Sequence, residues 1–176
     1  MKKMTILLGL VMVVGLASLS FAGTSDSITL TVTPTTNVSV NIVDDTYPFG
    51  EVALYNGTEV STALEVRNDG NANAKWQHNA NAQATGTSVA WDLVYAEVKA
   101  STDQFRLWAA VAASEPGFPE TDKVTTTNAD LTGGENIAPD PVTGESLWIK
   151  LEMPWAVSDS SEHTATYTIT ASAIGE

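Results

Sequence analysis

Apolar and polar residues alternate along most of the chain after residue 22. A period of two turns successive side chains toward opposite faces of a strand, and it is typical of β-strands with one buried face. The predicted inward rows are Ile28, Leu30 and Val32; Val38, Val40 and Ile42; Val60, Leu64 and Val66; Val89, Trp91, Leu93 and Tyr95; Leu147, Ile149, Leu151 and Met153; and Ala165, Tyr167, Ile169 and Ala171. The pattern therefore predicts a series of half-buried antiparallel strands.

Turn sequences separate these predicted strands. They include "DDTYPFG", "YNGT", "NDGN", "TGTS" and "PDPVTGE", in which Gly, Pro, Asn and Asp supply the backbone conformations that turns need. Short strands at this spacing are typical of two packed sheets. We therefore expect an all-β protein with a single immunoglobulin-like antiparallel β-sandwich over residues 23–176.

Residues 101–113 allow two interpretations. As a strand they turn Phe105 and Leu107 inward, whereas as a short helix they place Phe105 beside Trp108 on one face. The neighbouring strands favour the strand. The region from about 114 to 145 is too long for a hairpin connection, and we expect it to be a long loop.

The first 22 residues have the pattern of a secretory signal peptide. Lys2 and Lys3 form a basic start, "ILLGLVMVVGL" is a short apolar core, and Ser20 and Ala22 are the small residues that precede a cleavage site. The alternative is a membrane anchor, but the apolar run is short for a span. We expect cleavage after Ala22, and a product in the periplasm or at the cell surface or beyond.

The composition narrows the list of partners. The formal net charge is −13, and an acidic surface of this kind repels nucleic acid and anionic membranes. We therefore expect neither as a partner and no membrane anchor in the exported chain. The absence of cysteine excludes disulfides, thiol nucleophiles and attachment of a lipid through a cysteine.

Few residues offer acid–base catalysis. His78 and His163 are the two histidines, and neither lies in a nucleophile motif such as G-x-S-x-G. Pairs can always be drawn among 21 acidic residues, but no spacing singles out one pair. We expect no enzymatic activity and no cofactor.

The stretch "NDGNAN" has the oxygen-rich composition of a calcium-binding loop. However, Gly70 follows Asp69 directly, and no further acidic residue occurs before Asp92, so an EF-hand pattern is absent. Asn, Asp and Gly also tolerate the backbone angles of tight turns. We interpret the stretch as a hairpin turn, with a weak calcium site at Asn68, Asp69 and Asn71 as the alternative.

Three tryptophans are candidates for contact with a glycan or a protein partner. In the strand interpretation Trp108 and Trp148 point away from the core, and Trp155 follows the end of a strand. Outward tryptophans stack on sugar rings or anchor protein partners. The alternative is that the long loop covers Trp108 and a crossing strand covers Trp148.

Two long stretches resemble known bacterial sequences. "YPFGEVALYNGTEVSTALEVRNDGNA" resembles the F-G-x-V … N-x-G-N pattern of bacterial immunoglobulin-like domains. "GGENIAPDPVTGESLWIKLEMPWAVSDSSEHTATYTITASA" is similar to a group of uncharacterised secreted bacterial proteins with a Pro-bearing loop, an L-W-x-K strand and a Thr/Ile-rich last strand. The resemblance implies an exported β-sandwich and names no catalytic residue.

The chain is predicted to be exported and to lack a catalytic motif, and these two predictions together indicate its function. We expect a structural protein of the cell surface or extracellular matrix, with other copies of itself, other surface proteins or polysaccharide as partners. Ile28, Leu30 and Val32 belong to a strand that can add to the sheet of a neighbouring subunit and build a fibre; the alternative is that this strand completes its own sheet. The rival function is a carbohydrate- or ligand-binding module that uses Trp108, Trp148 and Trp155.

Overall fold

The structure is a computed structural model that describes residues 28–96 and 99–174. Residues 28–34 belong to a first unit, Met1–Pro34, and carry neither helix nor strand. Every strand described below belongs to the second unit, Thr35–Glu176. The predicted signal peptide, residues 1–22, lies outside the described residues, and so does its predicted cleavage site.

Two sheets form the second unit. The larger contains β1 (Asn41–Ile42), β2 (Thr58–Val60), β3 (Leu64–Arg67), β5 (Gln83–Ala84), β6 (Trp91–Leu93), β7 (Gln104–Val111) and β9 (Glu145–Glu152). Its order is β1-β3-β9-β7-β6-β5, and β2 pairs with β9 beside β3. The smaller contains β4 (Ala74–Ala80), β8 (Ala129–Asp130) and β10 (Tyr167–Ala173), in the order β10-β4-β8.

The core lies between the inward faces of these strands. Along β4, buried and half-buried residues alternate at all seven positions, and the fully buried Trp76 is one of the inward set. The same core cluster contains buried residues of both sheets: Leu64, Val66, Phe105, Leu107 and Leu147 of the larger, and Ala74, Trp76, Ala80 and Ile169 of the smaller. Burial of each large side chain contributes about 1.5–3 kcal/mol to folding, so this shared core stabilises the pairing of the sheets.

The structure confirms the all-β sandwich predicted from the alternation. A single 3-10 turn, Glu120–Asp122, is the one helical element among the described residues. Residues 101–113 contain the strand β7, so the strand interpretation is confirmed and the helix is excluded. Within the same residues, no helix is long and apolar enough to cross a membrane.

One strand pair departs from the expected antiparallel arrangement. β6 and β7 run parallel, with Asp92 opposite Gln104 and Leu93 opposite Phe105. A tight hairpin can join only antiparallel strands, so the chain between β6 and β7 has to return by a longer connection. The period-two pattern predicts which face of a strand is buried, but it carries no information about strand direction.

The hairpin prediction for "NDGN" is wrong. β3 precedes this turn and β4 follows it, but β3 belongs to the larger sheet and β4 to the smaller. Residues 68–73 therefore carry the chain across the core from one sheet to the other. Asn68 is 1% exposed, and its side-chain nitrogen donates to the carbonyl oxygens of Ala72 (2.9 Å) and Ile137 (2.8 Å), which fixes this crossing.

The first predicted strands are shorter than the sequence pattern indicates. Residues 28–40 carry no strand, and β1 contains only Asn41 and Ile42. By contrast, part of the long region 114–145 is closely bonded to β7. The backbone N–H of Val124 donates to Leu107 O (2.9 Å), and that of Val111 donates to Thr132 O (2.8 Å).

Candidate functional site

Residues 28–34, here called the arm, expose their apolar side chains. Ile28, Leu30 and Val32 are 81%, 84% and 88% exposed. They alternate with threonines, and no charged residue interrupts them. An exposed apolar row in strand-forming residues has both the side chains and the backbone groups to form one more strand of a sheet.

Asn71 fixes the chain that follows the arm. Its backbone N–H donates to Asn37 O (2.9 Å), and its side-chain oxygen accepts the backbone N–H of Asn37 (2.7 Å). Its side-chain nitrogen donates to Thr35 O (2.9 Å). A Cβ on Gly70 would lie 2.3 Å from Asn37 O, so this approach requires glycine. The Asn-rich turn therefore anchors residues 35–37.

Two of the three calcium candidates use their side-chain oxygens to accept backbone N–H groups. The side-chain oxygen of Asn68 accepts the N–H of Gly70 (3.0 Å), and the side-chain oxygen of Asn71 is used by Asn37. Asp69 is exposed. In the part of the chain that the structure describes, no group of three or more histidine, aspartate or glutamate side chains is placed to hold a metal ion. The side-chain oxygens of Asn68 and Asn71 therefore accept hydrogen bonds from backbone N–H groups.

The hydrogen bonds of β4 show which way its backbone groups point. The N–H of Trp76 donates to Gly134 O (2.8 Å), on the side away from β10. The N–H of Asn81 donates to Thr166 O (3.0 Å), just before β10 begins. Because backbone groups alternate in direction along a strand, the odd-numbered residues of β4 bond to β10 and the even-numbered residues bond on the side of β8.

This alternation defines the outer edge of β10. Gln77 lies opposite Thr170, so Thr170 and its neighbours two residues away bond to β4. The N–H and C=O groups that point outward are those of Tyr167, Ile169, Ala171 and Ala173. In residues 28–96 and 99–174, no backbone hydrogen bond reaches these groups.

The tryptophans predicted to face outward differ in exposure. Trp108 is 2% exposed, with the Arg106 guanidinium carbon 4.4 Å and the Lys150 amine 4.6 Å from its ring centroid. Trp148 is half-buried, and its ring N–H donates to Ala112 O (3.0 Å). The buried ring of Trp108 offers no open face of the kind that stacks on a sugar.

Trp155 lies in an exposed aromatic pair. It is 52% exposed, and its ring centroid is 5.1 Å from that of Tyr55, with the planes at 90°. Tyr55 is 71% exposed and has a φ of 63°, a left-handed conformation that is uncommon for a residue other than glycine. Tyr55 is not among the residues predicted from the sequence to contact a partner, although its place in the "YNG" turn is the signal for such a conformation.

A buried ion pair lies on the outer face of β7 and β9. Arg106 is 2% exposed, and one terminal nitrogen is 3.3 Å from each carboxylate oxygen of Glu152. Glu152 also accepts the backbone N–H of Ala100 (3.0 Å). The other terminal nitrogen of Arg106 is 3.4 Å from the carboxylate of Glu120, whose pKa is lowered by its hydrogen bond to Lys123. These contacts organise one end of the sandwich.

His78 lies inside the core at 1% exposure. Its Nδ1 is 3.0 Å from the hydroxyl of Tyr167, the first residue of β10. Burial lowers the pKa of His78 from its usual 6.5 to about 4, and the nearby negative charge of Asp122 opposes this shift. Burial raises the pKa of Tyr167. The shifts keep both groups neutral near pH 7.

His163 closes the loop that precedes β10. Its ring stacks on Trp91, with centroids 3.9 Å apart and planes at 15°. Nδ1 lies 2.8 Å from Ser161 O and Nε2 lies 2.7 Å from Val89 O. Both ring nitrogens thus face backbone carbonyl oxygens and hold the loop in place.

The sequence matches no protein-family model and no curated protein.

Proposed function

We propose that this chain is an exported, non-enzymatic structural protein of the cell surface or extracellular matrix that assembles with copies of itself by β-strand addition. The observation that carries the proposal is the arm: Ile28, Leu30 and Val32 are more than four-fifths exposed and alternate with threonine, without a strand partner among the described residues. Addition of this strand to a sheet would bury the row and bond its backbone.

The free energy gained by burying the arm and the cost of association are of a size that permits reversible assembly. Burial of three aliphatic side chains contributes about 1.5–3 kcal/mol each. Association costs an estimated 4–15 kcal/mol in lost freedom, which is of the same order. Net backbone hydrogen bonds of about 0.5–1.5 kcal/mol each then decide the affinity. An edge that offers several unpaired backbone groups is therefore required.

Other observations support a structural role. His78 is buried in the core, and both ring nitrogens of His163 lie within hydrogen-bond distance of backbone carbonyl oxygens, which are structural contacts. The basic and apolar pattern of residues 1–22 supports export. The resemblance of the chain to secreted bacterial β-sandwich proteins points the same way.

The test compares assembly of three forms of the protein exported by an expressing bacterium. The triple variant Ile28→Thr, Leu30→Thr and Val32→Thr removes the apolar row and keeps the strand propensity. The control Thr29→Ser, Thr31→Ser and Thr33→Ser changes the same number of neighbouring residues and keeps the row. Light scattering after size exclusion and electron microscopy measure the assembled fraction.

We expect filaments or a concentration-dependent oligomer for the original chain and the control, and a folded monomer for the apolar-row variant. A monomeric original chain at every concentration, or full assembly of the apolar-row variant, would contradict the proposal. An apolar-row variant that fails to fold would show instead that the arm completes its own sheet.

A second candidate function is contact with a polysaccharide through Tyr55 and Trp155, whose rings are both exposed. Quenching of tryptophan fluorescence by a panel of polysaccharides tests it. Trp155→Ala should abolish the quenching, and Trp148→Phe is the control. A lack of quenching across the panel would exclude this function.

A further inference from the structure

We propose that the acceptor of the arm is the outer edge of β10 in a second copy of the chain. This inference rests on the proposed function, since it names the surface on which strand addition takes place. Residues 28–33 of one copy would form an additional strand beside Tyr167–Ala173 of the next and extend the order of the smaller sheet beyond β10.

The backbone of β10 is complementary to a strand of this length. β10 has seven residues, and its outward groups belong to Tyr167, Ile169, Ala171 and Ala173. Six residues of the arm, 28–33, span nearly the same distance, because both segments rise by about 3.3 Å per residue in a sheet. Alternate residues of the arm would then supply donors and acceptors to these groups.

β10 is also the long edge among the strands of the described chain. β1, β5 and β8 have two residues each, and β2 has three. Short strands are one way in which proteins prevent unwanted pairing, and charges and prolines on an edge are others. Tyr167–Ala173 contains no charge and no proline. It is therefore the edge with the least protection against an incoming strand.

Charge favours the same pairing. Copies with a formal net charge of −13 repel each other wherever carboxylates approach. Neither residues 28–33 nor Tyr167–Ala173 contain an ionisable acid or base other than the buried phenol of Tyr167. The two neutral segments are places where two acidic copies can come together without burying a charge.

The side chains of the two segments match in type on each face. Along β10, Ile169 points into the core at 8% exposure, while Thr168 and Thr170 are exposed. A paired arm would place Leu30 and its apolar neighbours beside Ile169, and its threonines beside Thr168 and Thr170. The added strand would thus continue the core on one side and the threonine surface on the other.

The substitution Ala171→Pro blocks this edge selectively. The N–H of Ala171 points away from β4, so Ala171→Pro removes an outward donor and leaves the β4 hydrogen bonds in place. Ala171→Ser is the matched control, because it changes the side chain and keeps the N–H. We expect Ala171→Pro to lose assembly while its thermal unfolding remains close to that of Ala171→Ser.

A mixture of two variants, one without a usable β10 edge and one without the apolar row of the arm, tests whether the contact joins different copies. The Ala171→Pro chain retains a functional arm, and the apolar-row variant retains a functional β10 edge. Each alone should be monomeric, and together they should form a one-to-one dimer. If the mixture stays monomeric while the original chain assembles, the inference is overturned.

Cysteine cross-linking covers the case in which Ala171→Pro does not fold. The chain has no native cysteine, so any disulfide that forms must join the introduced cysteines. A chain with Thr31→Cys is oxidised with a chain carrying either Thr168→Cys or Thr170→Cys. With Leu30 opposite Ile169, a mixed disulfide with Thr168→Cys indicates an antiparallel arm and one with Thr170→Cys a parallel arm, and either supports the inference; no disulfide with either contradicts it.

The failures of the two proposals are distinguishable. If the apolar-row variant assembles normally, strand addition itself is wrong. If that variant is monomeric but Ala171→Pro assembles as Ala171→Ser does, the arm is the donor and β10 is not its acceptor.

Discussion

Asn71 and Asn37 bond each other twice: the N–H of Asn71 donates to Asn37 O at 2.9 Å, and the N–H of Asn37 donates to the side-chain oxygen of Asn71 at 2.7 Å. The third bond, from the side-chain nitrogen of Asn71 to Thr35 O, fixes the residue that follows the arm. The Asn-rich turn, whose composition resembles a calcium-binding loop, therefore anchors the first residues of the second unit.

Asn71→Ala should loosen this anchor. It removes two side-chain hydrogen bonds of about 0.5–1.5 kcal/mol each, so we expect hydrogen exchange at the Asn37 amide to accelerate by about tenfold. The control is Asn73→Ala, which removes an exposed bond to Asn136. Unchanged exchange at Asn37 in the first variant would show that Asn71 does not hold this segment.

Glu152 should be far more important for stability than Glu120, although both contact Arg106. Glu152→Ala leaves the buried guanidinium without its enclosed partner and should lower the free energy of unfolding by about 3–5 kcal/mol. Glu120 is 70% exposed, and water screens its attraction to Arg106, so Glu120→Ala should lower the free energy of unfolding far less. Urea unfolding measures both, and equal effects would refute the distinction.

Acid should destabilise the protein partly through His78. Since burial lowers its pKa to about 4, the unfolded chain takes up a proton below pH 6.5 while the folded chain does not. This contribution to stability is complete above pH 6.5 and is lost as the pH falls toward 4. Between pH 7.5 and 5, His78→Gln should lose about 2 kcal/mol less than the original chain. Equal losses in urea unfolding at the two pH values would show that His78 is not responsible.

Gly86 makes room for the stacked ring of His163. A Cβ on Gly86 would lie 2.3 Å from Nε2 of His163, so Gly86→Ala must displace the ring from Trp91 and from Val89 O. We expect a loss of about 1–3 kcal/mol and a change in tryptophan fluorescence. At Gly117 an added Cβ meets no atom within 4 Å, so Gly117→Ala should leave stability unchanged or slightly raised. If Gly86→Ala changed neither the stability nor the tryptophan fluorescence, the packing described for this loop would be contradicted.

Local patterns predicted the buried faces of the strands and little of their pairing. The alternation identified the inward side of β9 and β10 and, in the strand interpretation, of β7, because burial on one face is a property of each strand alone. The partner of a strand depends on distant residues. β3 and β4 follow each other in sequence and lie in different sheets, which no turn composition encodes.

The outer face of β7 illustrates the same limit. The period of two correctly places Arg106 and Trp108 on the face of β7 that points away from the core residues Phe105 and Leu107. Arg106 and Trp108 are nevertheless only 2% exposed. Their burial depends on contacts with Glu152, Lys150 and the segment around Lys123, which come from distant parts of the chain. A period of two cannot distinguish an outward residue in water from one covered by another segment.

The arm and the edge of β10 are different surfaces of one chain, and a link between them is of the head-to-tail kind. Links of this kind form a ring if the rotation from copy to copy closes, and they extend a line if it does not. Every line would have one end with an unused arm and one end with an unused edge. A filament of this protein would therefore be polar, and a chain lacking only one of the two surfaces would stop growth at one end alone.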